Sequence, residues 1–239
     1  MKYQEVVEKA KKAVRIGSEI VPFQPCEIWL AGDQINLWTY WQGYQLKDID
    51  DKGVDILLVG QDWGNPWKVS NKSVISGIRD MQAGKEYCYE TSSVTDLTMA
   101  RTFKAFGDDV DIMKSNPGMR LFFTNYSLGY RCGSETGGMT KTIMKQDKEL
   151  FEDLVFSVRP KIIICLGRIT YEMVSGKSAD GFASRLKKGE PFKSFFPGEK
   201  SIPVYGVAHC GARGRNNVGG EENMKKAWIS IASEYKAMS

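Results

Sequence analysis

VDILLVG, residues 54–60, reads as a strand that is apolar almost without interruption and stops on glycine. Such a run, without the apolar–polar alternation of a half-exposed strand, fits a strand buried on both faces of a parallel sheet. The next residues are Gln61-Asp62, then Trp-Gly-Asn-Pro-Trp. The strand therefore ends on a carboxylate in a turn. Asp62 alone has an ordinary explanation, because aspartate bonds nearby backbone in turns.

Working outward, three further apolar runs recur: RLFFTN (120–125), KIIICLG (161–167) and IPVYGVAH (202–209). Helical periodicity lies between them, in SVTDLTMARTFKAF (93–106), KQDKELFEDLVFSV (145–158), RITYEMVSG and GFASRLKKG. An opening helix is expected over 3–16 and a closing one from about Glu221, with Met224, Ala227, Trp228, Ile231, Ala232 and Tyr235 on one face. Alternating strands and helices predict an α/β fold: three layers, α/β/α, with a central four-stranded parallel sheet. No linker or repeat breaks the pattern, so residues 1–239 are read as one domain. Residues 27–44, rich in aromatics, are read as core packing near its edge, and the stretch from Asp62 to Ser92 as a surface excursion.

The 239 residues are 42% apolar and 26% charged, an ordinary globular balance. No run approaches the ~20 apolar residues of a membrane span, and the charged N-terminus lacks a signal peptide's apolar centre. A cytoplasmic protein with no membrane partner is expected. The five cysteines are widely spaced, with no Cys-x-x-Cys pair, which disfavours a disulfide framework or a zinc site. The net charge of +4, with a pI near 8.7, permits a nucleic-acid partner without requiring one.

In open α/β sheets ligands bind outside the carboxyl ends of the strands. The four runs end there in Gln61-Asp62, Asn125, Gly167-Arg168 and His209. His209 is the single histidine, and histidine is the side chain suited to act near neutral pH. Together Asp62, Asn125 and His209 can orient a water, read an amide-like edge and stabilise developing negative charge. Arg213, Arg215, Asn216 and Asn217 suit phosphate contacts, and glycines such as Gly211 let backbone approach a ligand. On composition alone a solvated flexible loop explains this stretch equally well.

This set resembles the uracil-DNA glycosylase superfamily over residues 54–217. GQDWG resembles the water-activating motif, written Gly-Gln-Asp-Pro-Tyr in the best-known branch. FFTNYSLGYR keeps an Asn-x-x-Leu-x-x-Arg pattern as Asn125, Leu128 and Arg131. IIICLGRITYEMV resembles the third strand and its helix, and VYGVAHCGARGR the strand ending in His-Pro-Ser with the loop that wedges into DNA. The resemblance implies a uracil-DNA glycosylase-like fold and hydrolysis of an N-glycosidic bond in base excision repair. Asp62 would position the water and stabilise a cationic sugar. Asn125 would read the pyrimidine's amide edge. A neutral His209 would donate to the oxygen that gains charge.

By the same resemblance Gly60, Gln61, Trp63, Gly64 and Trp67 would line the base site. Gly167, Arg168, Gly211, Arg213, Arg215 and Asn216 would face DNA carrying a flipped-out base. No metal or organic cofactor is implied, and a monomer is expected. Pro-Tyr of the family is Trp63-Gly64 here, which opens the gate against thymine unless Trp63 or Trp67 fills it. The stacking Phe has no clear equivalent; Ile75 lies near its place and Trp67 is a candidate substitute. His-Pro-Ser is His209-Cys210-Gly211, and the wedge position carries Arg213 where apolar wedges are usual. The iron–sulfur cysteines of some branches are unmatched. These departures keep open two other readings, a non-catalytic nucleic-acid-binding module and a hydrolase of free nucleotides or nucleosides.

Overall fold

Val54–Gly60 is a strand with the bounds its composition predicts, and all but Asp55 of its residues are buried. In the computed structural model, the residues described are 1–13, 23–24, 49–62, 94–114, 116–127, 130–131 and 139–238. In chain order they form α1 (Tyr3–Lys12), β1 (Phe23–Gln24), α2 (Ile49–Lys52), β2 (Val54–Gly60), α3 (Val94–Phe103), β3 (Leu121–Asn125) and β4 (Tyr130–Arg131). Then come α4 (Lys141–Met144), a 3-10 turn at Lys145–Asp147, α5 (Lys148–Val158), β5 (Pro160–Leu166), α6 (Arg168–Ser175) and α7 (Phe182–Lys187). The chain closes with β6 (Phe192–Phe196), β7 (Glu199–Val207), α8 (Ala212–Asn217) and α9 (Glu221–Met238).

The main sheet runs β3-β2-β5-β7-β6, and β1 and β4 form a separate antiparallel pair. The expected four parallel strands are β2, β3, β5 and β7. The expected strand count needs correcting: a fifth strand, β6, pairs antiparallel with β7 at the edge. Its sequence, FKSFF, is not a continuous apolar run: two of its five residues, Lys193 and Phe195, are exposed and Ser194 is half-buried. An edge strand needs only partial burial.

Successive side chains of a strand point to opposite faces, and the core divides accordingly. Leu57, Val59, Ile163 and Cys165 pack with α1, α5 and α6; Ile56, Leu58, Ile162 and Ile164 pack with α3 and α9. Helices thus cover both faces of the sheet. The first helix stops at Lys12, short of the expected 16, with Ala13 already extended. The aromatic stretch 27–44 and the excursion 63–92 lie outside the described residues.

The strand order decides where a ligand could sit. From β2 the chain steps one way to β3, then returns across β2 to β5. That reversal opens a crevice at the carboxyl ends of β2 and β5, the switch point where open α/β sheets bind ligands.

Candidate functional site at the carboxyl edge of the sheet

Gly60 stands opposite Asn125 in the β2–β3 register. A Cβ on Gly60 would lie 2.0 Å from Asn125 Oδ1, so only glycine lets this amide lie against the strand exit. Past the strand ends the two chains stay paired. The Tyr126 N–H donates to the Gly60 carbonyl at 2.9 Å, and the Ser127 N–H to that of Gln61 at 3.0 Å. Ser127 Oγ in turn bonds Asp147 Oδ2 at 3.0 Å, with both residues buried. These contacts fix Gln61 beside the exit of β3; half-buried Asp62 is the next residue along the chain, and Asn125 is only 5% exposed.

At the end of β5, Gly167 adopts φ +100°, a conformation that favours glycine, and caps α6. Its N–H bonds the Val207 carbonyl at 2.7 Å, tying the exit of β5 to that of β7. Arg168 follows, but its guanidinium is committed. Nε bonds Glu172 Oε1 at 2.8 Å and Nη2 bonds Asp180 Oδ1 at 3.0 Å. Burial would raise the Glu172 pKa. Hydrogen bonds from Lys141, Arg168 and the Ala179 N–H overcome this and hold it at about 2. Of the basic residues expected to face DNA, the structure turns Arg168 to internal bracing.

His209 follows β7, and its geometry selects one protonation form. The Gly211 N–H, which can only donate, is 3.0 Å from His209 Nδ1. Nδ1 is therefore the acceptor, and the neutral ring carries its proton on Nε2. The ring keeps an exposed face. Desolvation by the protein around the rest lowers its pKa from the ordinary value, and the Asp96 carboxylate opposes that shift. Neutral His209 is the favoured form at neutral pH.

Two glycines make this pose possible. A Cβ on Gly211 would lie 3.0 Å from His209 Nδ1 and 3.1 Å from Thr95 Oγ1. One on Gly214 would meet the His209 carbonyl oxygen at 1.9 Å, which no side chain survives without backbone movement. The reading of 211–217 as a flexible loop is replaced by a helix, α8, seated on that carbonyl. Arg213 and Asn216 are exposed on it, and Arg213 meets no carboxylate among the described residues. Arg215 Nη1 lies 3.9 Å from Glu221 Oε2. Cys210, next to His209 in the chain, is buried and its thiol is pushed up to about 12 by burial, so it is packing rather than a nucleophile.

Sequence reading did not single out Thr95 and Asp96, at the start of α3 beside His209, nor the Ser127–Asp147 pair. Asp96 looks like ordinary first-turn acidity. Among the candidate residues, Trp63, Gly64, Trp67, Ile75 and Leu128 lie outside the described residues. Arg131 falls on β4, in the separate antiparallel pair, and the others stand at the carboxyl edge. Neighbouring strands are ~4.8 Å apart, so the ends of β2 and β7 are separated by roughly 10 Å, with β5 between. Among the described residues no group of three or more His, Cys, Asp or Glu could hold a metal ion, and no helix is long and apolar enough to cross a membrane. A scan against protein-family models gives no match, and a search of curated proteins gives no significant one.

Proposed function

We propose that this edge is the active site of a DNA glycosylase that hydrolyses the N-glycosidic bond of uracil or a related deaminated base. Asp62 orients a water toward the sugar C1′ and offsets the cationic character that develops there. The water oxygen bonds to C1′ as the C1′–N bond breaks. The electron pair leaves with the base, and the proton from the water is passed on to Asp62 or to solvent. Asn125 can donate and accept on the amide edge of the base. His209 Nε2–H donates to the base oxygen that gains charge. Gln61 contributes polar contacts beside Asp62, and Arg213 meets the DNA at the mouth.

The observation that carries this reading is the Gly211 N–H to His209 Nδ1 bond. It leaves a neutral donor at Nε2, on the same sheet edge as a carboxylate and a buried amide. The test is release of free base from oligonucleotides containing uracil, hypoxanthine or xanthine, single- and double-stranded. Free uracil in the supernatant supports the reading; no base from any of these substrates sinks it.

A further inference from the structure

The stretch Asp180–Pro191 carries basic residues that the proposed site does not use. It also lies at the carboxyl edge. Asp180 pairs with Arg168 at the exit of β5. Phe182 stacks on Phe192 at 5.2 Å between centroids, and Phe192 is in register with Gly206, near the end of β7. Because β6 runs antiparallel to β7, the turn that feeds β6 stands beside the exit of β7, where His209 follows.

Buried Leu186 anchors α7 in the core, and the chain turns over Lys187-Lys188-Gly189, with the Gly189 N–H bonded to the Leu186 carbonyl at 3.0 Å. Gly189 has φ +79°, and a Cβ there would lie 2.6 Å from Lys226 Cβ. The turn therefore sits against α9 at Lys226. That part of α9 also belongs to the carboxyl edge: the helix starts just past α8, and Tyr235 near its far end reaches Asp55 Oδ1 at the start of β2.

Lys187, Lys188 and Lys226 are all exposed, and none has an ion pair among the described residues. The nearby acids are engaged elsewhere. Glu190 Oε2 lies 3.7 Å from Arg185 Nε, and Glu221 and Glu222 face Arg101 and Lys225. Two separate elements thus bring three lysines without ion pairs among the described residues to one turn, beside the exit of the strand that His209 follows. Lysine is a mobile point charge, suited to following a phosphate chain rather than reading bases.

We propose that Lys187, Lys188 and Lys226 form a second DNA contact, a phosphate-tracking surface that holds the strand flanking the flipped nucleotide on the β7 side. The proposal rests on the glycosylase reading for its choice of DNA, but its measurement is separate from base release. Each phosphate neutralised contributes about −0.9 to the slope of log affinity against log salt.

The experiment titrates wild type with a labelled duplex carrying one uracil, over a series of salt concentrations. The same is done for Lys226→Gln, for Lys236→Gln and for the triple variant Lys187→Gln/Lys188→Gln/Lys226→Gln. Lys226 and Lys236 share α9 but lie about 15 Å apart along it, toward opposite edges of the sheet. The expected result is a slope shallower by about one in Lys226→Gln and by about two to three in the triple variant. Lys236→Gln should match wild type. A triple variant with the wild-type slope overturns the surface, as does an equal loss in Lys236→Gln, or a wild type that does not bind the duplex. Base release with unchanged slopes would remove this surface and leave the glycosylase reading standing. The expected slopes without base release would do the reverse.

Discussion

The two edges of the sheet treat charge in opposite ways. At the amino edge, Asp55 accepts bonds from Lys161 at 2.8 Å, Tyr235 Oη at 2.8 Å and the Arg120 N–H at 2.9 Å. That one carboxylate joins β2, β5, α9 and the start of β3. Arg120 Nε also bonds the Gly53 carbonyl at 2.7 Å, and Asp50 Oδ1 accepts the Tyr3 N–H at 2.8 Å. At the carboxyl edge the backbone stays paired past the strand ends, but several basic side chains have no ion pair among the described residues. His209 has one nitrogen occupied and the other presented, and Arg213, Lys187, Lys188 and Lys226 carry no ion pair among the described residues. The contrast separates charges that hold the fold from charges with no ion pair among the described residues. Arg168 shows that position alone does not decide: it stands at the carboxyl edge yet is turned to Glu172 and Asp180.

The sharpest way to break this contrast is to remove one carboxylate from each edge. Asp62→Asn, and likewise His209→Ala, is expected to slow base release by about 10²–10³-fold, because in the proposed reaction each removes a group that meets developing charge. Asp55→Asn should leave the release rate within a few-fold of wild type. Single-turnover kinetics on a uracil oligonucleotide decide it, and a release defect in folded Asp55→Asn equal to that of Asp62→Asn would erase the distinction. A smaller effect is expected from Gly214→Ala. Its Cβ collides with the His209 carbonyl, so release should fall about tenfold, equivalent to ~1.4 kcal/mol. Overpacking should also cost about 1–3 kcal/mol of stability, read by urea denaturation.

The amino edge should show itself in acid. Burial would raise the Asp55 pKa, but bonds from Lys161, the Arg120 N–H and Tyr235 leave it lowered overall. A depressed carboxylate stabilises the fold above its unfolded pKa and loses that contribution as pH falls through the folded value. Asp55→Asn is expected to cost about 1–2 kcal/mol at neutral pH, and the difference from wild type should shrink as acid protonates Asp55. Urea titrations at several pH values measure this. Glu172 extends the same behaviour further, toward pH of about 2.

The smallest effect is expected from pH acting on the His209 ring. Its lowered pKa means that release should persist as pH falls through the ordinary histidine value of ~6.5 and fail only below it. Asp96 supports the protonated ring, so Asp96→Asn should move that acid limb lower still. A limb that stays in place, or rises, would remove Asp96 from the electrostatics of the site.

The four parallel strands were legible because burial on both faces forces nearly continuous apolar runs, and these survive in the one-dimensional string. Strand ends were legible too, and Asp62, Asn125 and His209 each follow or close one of them. The sequence by itself determined the α/β alternation and the polar residue at each strand exit. Only the tertiary structure decided what each charge faces. It paired exposed β6 with β7, turned Arg168 to Glu172 and Asp180, folded 212–217 into a helix on the His209 carbonyl, and set Gly189 against Lys226. The physical reason is range. Apolar periodicity is written residue by residue along the chain, whereas a charge is satisfied or left over according to partners dozens of residues away.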